Sequence, residues 1–539
     1  MTGRERVKIS DLGRKGGNVV TLAQEDLMKL PGVLGEPGAE PPMGSLILKD
    51  SVKQKYEWNL DGYVGLGFPK PKTPEEEEAL VQRFSDGLSK LLSRDNNWTF
   101  LQPLMLTLDY CARCNLCSEE CPIYTSSGRK EIYRPTFRAE VLRRAYKREH
   151  TTAGRLFGGV VAGDLELNAE TVTRLGELSY RCTLCRRCAL VCPLGLDNGL
   201  IAREIRKLYS QEMGVAPKEL HEKGTAQHLR VGSSTGLTPE AFKNLVKFME
   251  DEIVEILGRR IEMPIDKKNA DIMLFHNPGE FISWPENPMA FAILFDAAGV
   301  DWTLSSELFG FDSVNYGLFY DDVQFARLVM RQAKAARDLD VNRIVVGECG
   351  HAHKGLIVTA DRILSGDLRV PRESFLPLVW EIVKSGKVNL DPEKNRFPVT
   401  LHDPCNIVRN LGIVEPQRKI LKAVAPLFRE MTPHGIRNYC CGGGSGFAIM
   451  QTGNFAEWRV KVASRMKLKQ AIEAFQDDPS PKTPKYVCVP CSNCKGAMRD
   501  ICSYYKATEK IGLNYGGLVD LVVNAMVDVK KPTVHLASA

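Results

Sequence analysis

Long apolar runs are missing from this chain. Across 539 residues none approaches the ~18 consecutive apolar residues that cross a bilayer as a helix. The opening Met1-Thr2-Gly3-Arg4-Glu5-Arg6 lacks the apolar stretch of a secretory signal. Together these predict a cytoplasmic protein that can still dock on a membrane partner. Charge of a single sign is missing too: 72 basic residues against 66 acidic ones leave +6, widely spread, too weak and mixed a field to argue for nucleic-acid binding. No strand–Gly-x-Gly–helix context for a flavin or nicotinamide is present. The glycines from Gly442 to Gly446 are not followed by a P-loop lysine, which discounts a nucleotide loop.

What the chain has in quantity is cysteine, sixteen in all. In a reducing compartment structural disulfides rarely persist, so these read as metal ligands or redox thiols. The composition, 43% apolar and 26% charged, is that of a soluble globular protein with room for two or three cored domains.

Three stretches differ in texture. Residues 1–105 are rich in proline and glycine and read as an irregular N-terminal arm, either packed on a partner or a flexible tail. One helix is well signalled there: Thr73 caps it, Pro74 suits its first turn, Glu76 completes a capping box, and Leu80, Phe84, Leu88 and Leu91 or Leu92 recur at helical spacing. Residues 106–265 show only helical periodicity. Phe137, Val141, Leu142 and Ala145 form one face, Ile201, Ile205, Leu208 and Tyr209 another, and Phe242, Leu245, Val246, Met249, Ile253 and Ile256 a third. After Pro264 and the charged Asp266-Lys267-Lys268, residues 266–539 alternate short apolar strands with helices. The strands are expected at 272–275, 343–346, 399–401 and 486–489, the helices at 323–336 and 455–474. Val345-Val346-Gly347-Glu348-Cys349-Gly350-His351-Ala352 weakly repeats the stretch from Tyr486 to Cys494, with Ala352 standing in for Cys494. The fold class expected is therefore α + α/β: an all-helical part, then a pseudo-duplicated α/β part with one complete metal site.

Cys111, Cys114, Cys117 and Cys121 precede Pro122; Cys182, Cys185, Cys188 and Cys192 precede Pro193. This C-x2-C-x2-C-x3-C-P spacing is the bacterial ferredoxin run for a [4Fe–4S] cubane, whose fourth cysteine serves the other cluster. One cubane is thus assigned to Cys111, Cys114, Cys117 and Cys192, the other to Cys182, Cys185, Cys188 and Cys121. A zinc ribbon would use two separated C-x2-C pairs without a trailing Cys-Pro. Downstream, Cys405, Cys440, Cys441, Cys491 and Cys494 supply five thiolates, one more than a cubane uses. Adjacent Cys440 and Cys441 can contact two irons, and the glycines behind them allow close backbone approach.

The two runs resemble the α-helical ferredoxin domain of succinate dehydrogenase iron–sulfur subunits and heterodisulfide reductases, over about 105–215. His402-Asp403-Pro404-Cys405, Cys440-Cys441-Gly442 and Cys491-x2-Cys494 resemble the cysteine-rich CCG domain of heterodisulfide reductases, glycolate oxidase iron–sulfur subunits and anaerobic glycerol-3-phosphate dehydrogenase subunits. The spacing from Cys441 to Cys491 is longer than the family's, and Asn406 replaces a common histidine. The whole layout is similar to the DsrK family of the DsrMKJOP membrane complexes. That resemblance implies a third, noncubane [4Fe–4S] cluster on the five-cysteine set and a disulfide reductase of heterodisulfide type. Electrons would come from menaquinol through a cytochrome b subunit (DsrM). The substrate would be a sulfur-linked cysteine pair on the small protein DsrC, in dissimilatory sulfate or sulfite reduction. It also implies a place on the cytoplasmic face of the membrane, held by a partner subunit, with no flavin or NAD in this chain. Two rival readings remain: an electron relay for a flavin-dependent glycolate, lactate or glycerol-3-phosphate dehydrogenase, and a non-catalytic scaffold.

Other residues carry competing expectations. Cys349 is a further ligand, a sulfur-handling thiol or a small buried hydrophobe. Cys488, within a strand, and Cys502, within a helix, are expected to be buried only. His351 and His353 would donate protons to departing thiolates or sit satisfied in a loop. His402 and Asp403 are expected to orient the Cys405 loop.

Overall fold

The computed structural model describes residues 7–20, 22–46, 60–163, 165–307, 317–450, 455 and 457–537. The opening Met1–Arg6 stretch lies outside the described residues. Among them no strand precedes residue 265, so the middle of the chain is helical throughout. The helix Pro135–His150 buries Phe137, Val141, Leu142 and Ala145; Asn198–Gln211 buries Ile201, Ile205, Leu208 and Tyr209. In Pro239–Leu257, Phe242, Val246, Met249 and Ile253 are buried, while Leu245 and Ile256 are only partly covered. Apolar side chains three and four apart select these faces because only they share one side of a 3.6-residue turn.

The arm departs from expectation. The helix Pro74–Leu91 is present, and Thr73 accepts from the Glu76 amide at 3.3 Å, but the Glu76 carboxylate accepts from Lys72 rather than closing the box on Thr73. It is not the arm's only helix. Leu101–Tyr110 begins before residue 105 and runs past it, and a single turn forms at Gly62–Gly65. The stretch 7–46 is neither a free tail nor reserved for a partner; it straps both halves of its own chain. Leu12, Val19, Val20, Leu22 and Leu27 enter the core of the helical part, and Arg174 holds the Leu12 and Arg14 carbonyls at 2.7 Å. Leu30 and Leu34 pack instead against Leu468, Ile472 and Tyr505 of the α/β part. Prolines remove amide donors here, so the strap is fixed by side chains reaching its carbonyls rather than by a ladder. We retain 1–105, 106–265 and 266–539 as proposed units.

The α/β part is built twice. Strands β1 (Ile272–Phe275), β2 (Trp302–Thr303), β3 (Arg343–Val346) and β4 (Arg372–Ser374) form one sheet in the order β2-β1-β3-β4. Strands β5 (Val399–Leu401), β6 (Phe428–Arg429), β7 (Lys485–Cys488) and β8 (Leu513–Gly516) form a second in the order β6-β5-β7-β8. Every pairing is parallel and each order reverses at the same place, between first and third strands. That reversal opens a crevice at the strand C-termini, where α/β sheets hold ligands. The helices Glu286–Ala298, Phe375–Lys384, Glu415–Val424 and Leu518–Asn524 join both sheets into one apolar core.

The duplication reaches further than the β3/β7 repeat. His276-Asn277-Pro278-Gly279 follows β1 as His402-Asp403-Pro404-Cys405 follows β5. Gly279 thus stands where Cys405 stands, and the first copy has lost that thiol as well as the one at Ala352. In its place lies a buried charge network: Glu280 meets His276 at 3.3 Å and Lys495 at 2.9 Å, and Glu348 accepts from the Leu518 and Val519 amides.

Candidate metal centres

The two cysteine runs fold alike because their spacing is alike. In each, the residues on either side of the second cysteine take left-handed backbone: Arg113 and Asn115 at φ 57° and 62°, Leu184 and Arg186 at 53° and 61°. Such residues are costly outside glycine; four at matched positions show a loop wound tightly around a common centre. A short helix follows each, Leu116–Glu119 and Arg187–Leu190, then the Cys-Pro turn. Burial pushes the Cys121 thiol up to about 12, and the nearby Cys185 and Cys182 add to it. Burial also pushes Cys117 up to about 12, with Cys121, Cys111 and Cys114 beside it. Cys121 therefore stands between the runs, and Asn198, just beyond the second run, reaches the Cys117 sulfur at 3.9 Å. These neighbours support the crossed ligand sets as a proposal.

At the crevice of the second sheet the remaining thiols converge. Cys405 opens the helix Cys405–Asn410 and Cys491 caps Ser492–Tyr505; Cys349 occupies the matching cap after β3. All six are buried. The Cys441 and Cys494 sulfurs lie 3.2 Å apart, too far for a disulfide bond of ~2.05 Å. Cys440 neighbours Cys405 and Cys441, and Cys491 neighbours Cys349 and Cys494, so the thiols run in one unbroken chain. Backbone amides point at them: Gly350 to Cys491 at 3.2 Å, Gly442 to Cys440 and Gly443 to Cys441 at 3.4 Å. Six buried thiols, unoxidised and satisfied mainly by one another and by amides, are a donor set fitted to an iron–sulfur group.

Histidines complete two sub-clusters. Cys349, His351 and Cys491 bring ligand atoms within 4.8 Å of one another, as do His402, Cys441 and Cys494. His402 thus faces the thiols, beyond the orienting role expected for it. Asp403 does orient the loop: Arg418 grips it at 2.9 and 2.7 Å and the Gly435 amide at 2.6 Å. His351 also faces the thiols, with Asn493 bridging to it at 3.0 Å and to Cys349 at 3.5 Å. His353 does not. It bonds the Cys349 carbonyl and Ser374, and burial pushes it down to about 4. Cys488 and Cys502 are buried outside the set, Cys502 against the Leu513 carbonyl.

Two buried lysines escaped sequence reasoning, one of them facing the thiols. Lys467 is fully buried and donates to Asn438 at 2.6 Å. Burial pushes it down to about 7, against the pull of Asp403 and of Cys441, Cys440 and Cys494. Lys495, next to Cys494, is kept protonated by Glu280 and Glu348 despite burial. Hydrogen bonds with the Cys440 and Cys494 thiols hold Cys441 well below the ordinary thiol range. A buried lysine inside an amphipathic helix reads from sequence as a solvated face, so Lys467 gave no signal. The repeated His-x-Pro after β1 and β5 was visible and went unread.

The two centres touch. Cys185 of the second run and Cys440 lie within hydrogen-bonding reach, Arg409 holds the Cys185 carbonyl at 2.8 Å, and Arg186 bonds Asn410 at 2.7 Å. Gly444 permits this approach: a Cβ there would sit 2.6 Å from the Thr183 carbonyl oxygen. Gly444→Ala is therefore expected to cost about 1–3 kcal/mol by overpacking, measured as a lower urea midpoint.

Residues 107–196 match the 4Fe-4S dicluster domain family, and 399–499 match the cysteine-rich domain family. The chain is similar to heterodisulfide-reductase-like iron–sulfur subunits. It is 27% identical to the Hdr-like menaquinol oxidoreductase iron-sulfur subunit 2 of Archaeoglobus fulgidus, over 86% of each chain. It is 25% identical to the Hdr-like menaquinol oxidoreductase iron-sulfur subunit of Archaeoglobus profundus, over 85% of this chain and 84% of that one. Against a subunit of the dihydromethanophenazine:CoB–CoM heterodisulfide reductase of Methanosarcina acetivorans it is 22% identical, over 64% of this chain and 79% of that one. Such a protein is an electron-transferring oxidoreductase carrying iron–sulfur clusters. No helix among its described residues is long and apolar enough to cross a membrane.

Proposed function

We propose that the chain carries electrons from a quinol-oxidising membrane partner to the six-thiol centre, where a disulfide or trisulfide is reduced. The partner would be a DsrM-like cytochrome b within a DsrMKJOP-type complex on the cytoplasmic face, the substrate a DsrC-like thiol protein in sulfate or sulfite reduction. The observation that carries this reading is the contact between Cys185 and Cys440, which joins a ferredoxin run to a thiol set richer than a relay needs.

Cys111, Cys114, Cys117 and Cys192 would hold one cubane, and Cys182, Cys185, Cys188 and Cys121 the other. Cys405, Cys440, Cys441, Cys491 and Cys494, with Cys349 beside them, would hold a noncubane cluster. When bound, such groups supply one-electron transfer along the runs and two-electron cleavage of a sulfur–sulfur bond at the last site. The chain's own residues set the conditions for that chemistry. Burial of the six thiols excludes water; Lys467 faces Cys440, Cys441 and Cys494; Arg418 and Asp403 fix the Cys405 turn. His351 and His402 are the nearest groups able to hold a proton beside the thiols, and Cys405, 7% exposed, is the most accessible of the six.

Iron analysis with EPR of the full chain, both reduced and oxidised, with and without a small thiol protein, tests this. The expected outcome is more than about eight irons per chain and a paramagnetic signal that appears only with the thiol. About eight irons and two reduced-cubane signals alone would sink the reading and leave a simple relay.

A further inference from the structure

The helix Thr152–Ala162 wears its large apolar side chains outward. Leu156, Phe157 and Val160 are 71%, 62% and 87% exposed, and Val160 is the most exposed large hydrophobic among the described residues. A surface helix of a soluble protein turns such residues toward the core. Here the inward side is made of small ones. Ala162 is buried, and a Cβ on Gly154 would sit 2.8 Å from the Arg148 carbonyl oxygen. The helix lies flat along its neighbour Pro135–His150 through these small residues, leaving the bulky ones to face out. At Phe157 the backbone leaves helical geometry (φ −128°, ψ 31°), which spreads the exposed side chains over a shallow bend.

The exposed charge around this face is mostly basic, although Glu140 pairs with Arg143 and Arg144, and Asp164 and Glu166 follow the helix. Between residues 143 and 163 five basic residues, Arg143, Arg144, Lys147, Arg148 and Arg155, stand against one acid, Glu149. Lys147, Arg148 and Arg155 are exposed. Arg155 donates to the Glu149 carbonyl and Arg148 to the Leu165 carbonyl; Arg148 also pairs with the Glu149 carboxylate at 3.6 Å, while Lys147 forms no ion pair among the described residues. Apolar side chains rimmed by cations are what an interfacial helix presents: the former enter the acyl boundary, the latter meet anionic headgroups. A protein partner covering Leu156 and Val160 is the alternative that the vesicle experiment separates.

The face is also linked to the exposed end of the electron path. Arg144 pairs with Glu140 at 3.2 Å, and Glu140 pairs at 3.2 Å with Arg113, which precedes the exposed Cys114. We propose that Thr152–Ala162 docks directly on an anionic lipid surface and so holds the first cysteine run close to the membrane. The association needs no transmembrane segment and does not depend on the reaction at the six-thiol centre.

Flotation of the iron-loaded full chain with vesicles tests this, using phosphatidylcholine alone or with about one third phosphatidylglycerol. Recovery with the anionic vesicles is expected to exceed that with neutral ones by about tenfold or more, and to collapse at high salt. The double substitution Leu156→Gln, Val160→Gln is expected to lower recovery about tenfold, and Arg155→Glu similarly, with iron content and visible absorption unchanged. These positions are exposed, so folding is not at stake. Binding to neither vesicle type, or undiminished binding by the double variant, overturns the proposal; the first outcome would give the face to a protein partner instead.

Discussion

Cys441→Ser is expected to abolish reduction of a sulfur–sulfur bond, by about 100-fold or more, while reduction of the two ferredoxin runs by a dye persists. The asymmetry follows from placement. Cys441 contacts Cys440 and Cys494 and accepts the Gly443 amide, so it sits within the thiol chain rather than at its edge. The runs are held by eight other cysteines on other loops, and their absorption should survive. Iron should fall toward about eight per chain. Cys349→Ala separates two roles for that residue: loss of iron marks a ligand, whereas retained iron with lost turnover marks a sulfur-handling thiol. Retention of full activity by Cys441→Ser would remove the six-thiol centre from the reaction altogether.

Asp322→Asn is expected to destabilise the folded chain by about 3–5 kcal/mol, measured by urea unfolding at neutral pH. Asp322 is buried at the start of the helix Asp322–Asp338, where it meets Arg203 and Lys207 from Asn198–Gln211, the latter at 3.0 Å. Removing its charge leaves two buried cations facing only Glu204. Burial alone would raise its carboxyl, but Arg203 and Lys207 hold it well below the ordinary range. Stability from this group is therefore fully present above the unfolded carboxyl value, about pH 4, and drains away as pH falls toward the lower folded value. The gap between wild type and D322N should narrow over that acid window. A gap that stayed constant would show that the pair carries no such linkage.

Sequence disclosed the parts governed by local spacing. The ferredoxin runs were legible because ligand geometry demands fixed gaps, and the helical faces because 3.6-residue periodicity is imposed by burial. Strands β1, β3, β5 and β7 were legible as short apolar runs at the centres of their sheets. Their neighbours β2, β4, β6 and β8 were not, since Arg372-Glu373-Ser374 and Phe428-Arg429 lie at edges where one side is open and few residues pair. The contact of Cys185 with Cys440 joins residues more than 200 positions apart, and nothing local to either encodes it. The strap was misread for the reverse reason: its proline-rich composition describes how it is built, whereas its seat is chosen by Arg174, Glu457 and Arg465 far away.

That strap also sets a timetable. Gly44 bonds Glu457 across 413 positions, and Ala39 bonds Lys510 across 471. At ribosomal speeds the first segment waits about 20 to 95 seconds for its docking site to be synthesised. Leu30 and Leu34 join the same apolar cluster as Cys405, Cys440, Cys441, Cys491 and Cys494, so they cannot settle until that neighbourhood exists. Pairings of such long range form late in folding. The strap thus takes its seat on a surface that includes the thiol-bearing cluster, and that surface does not exist until residues up to 510 have been made.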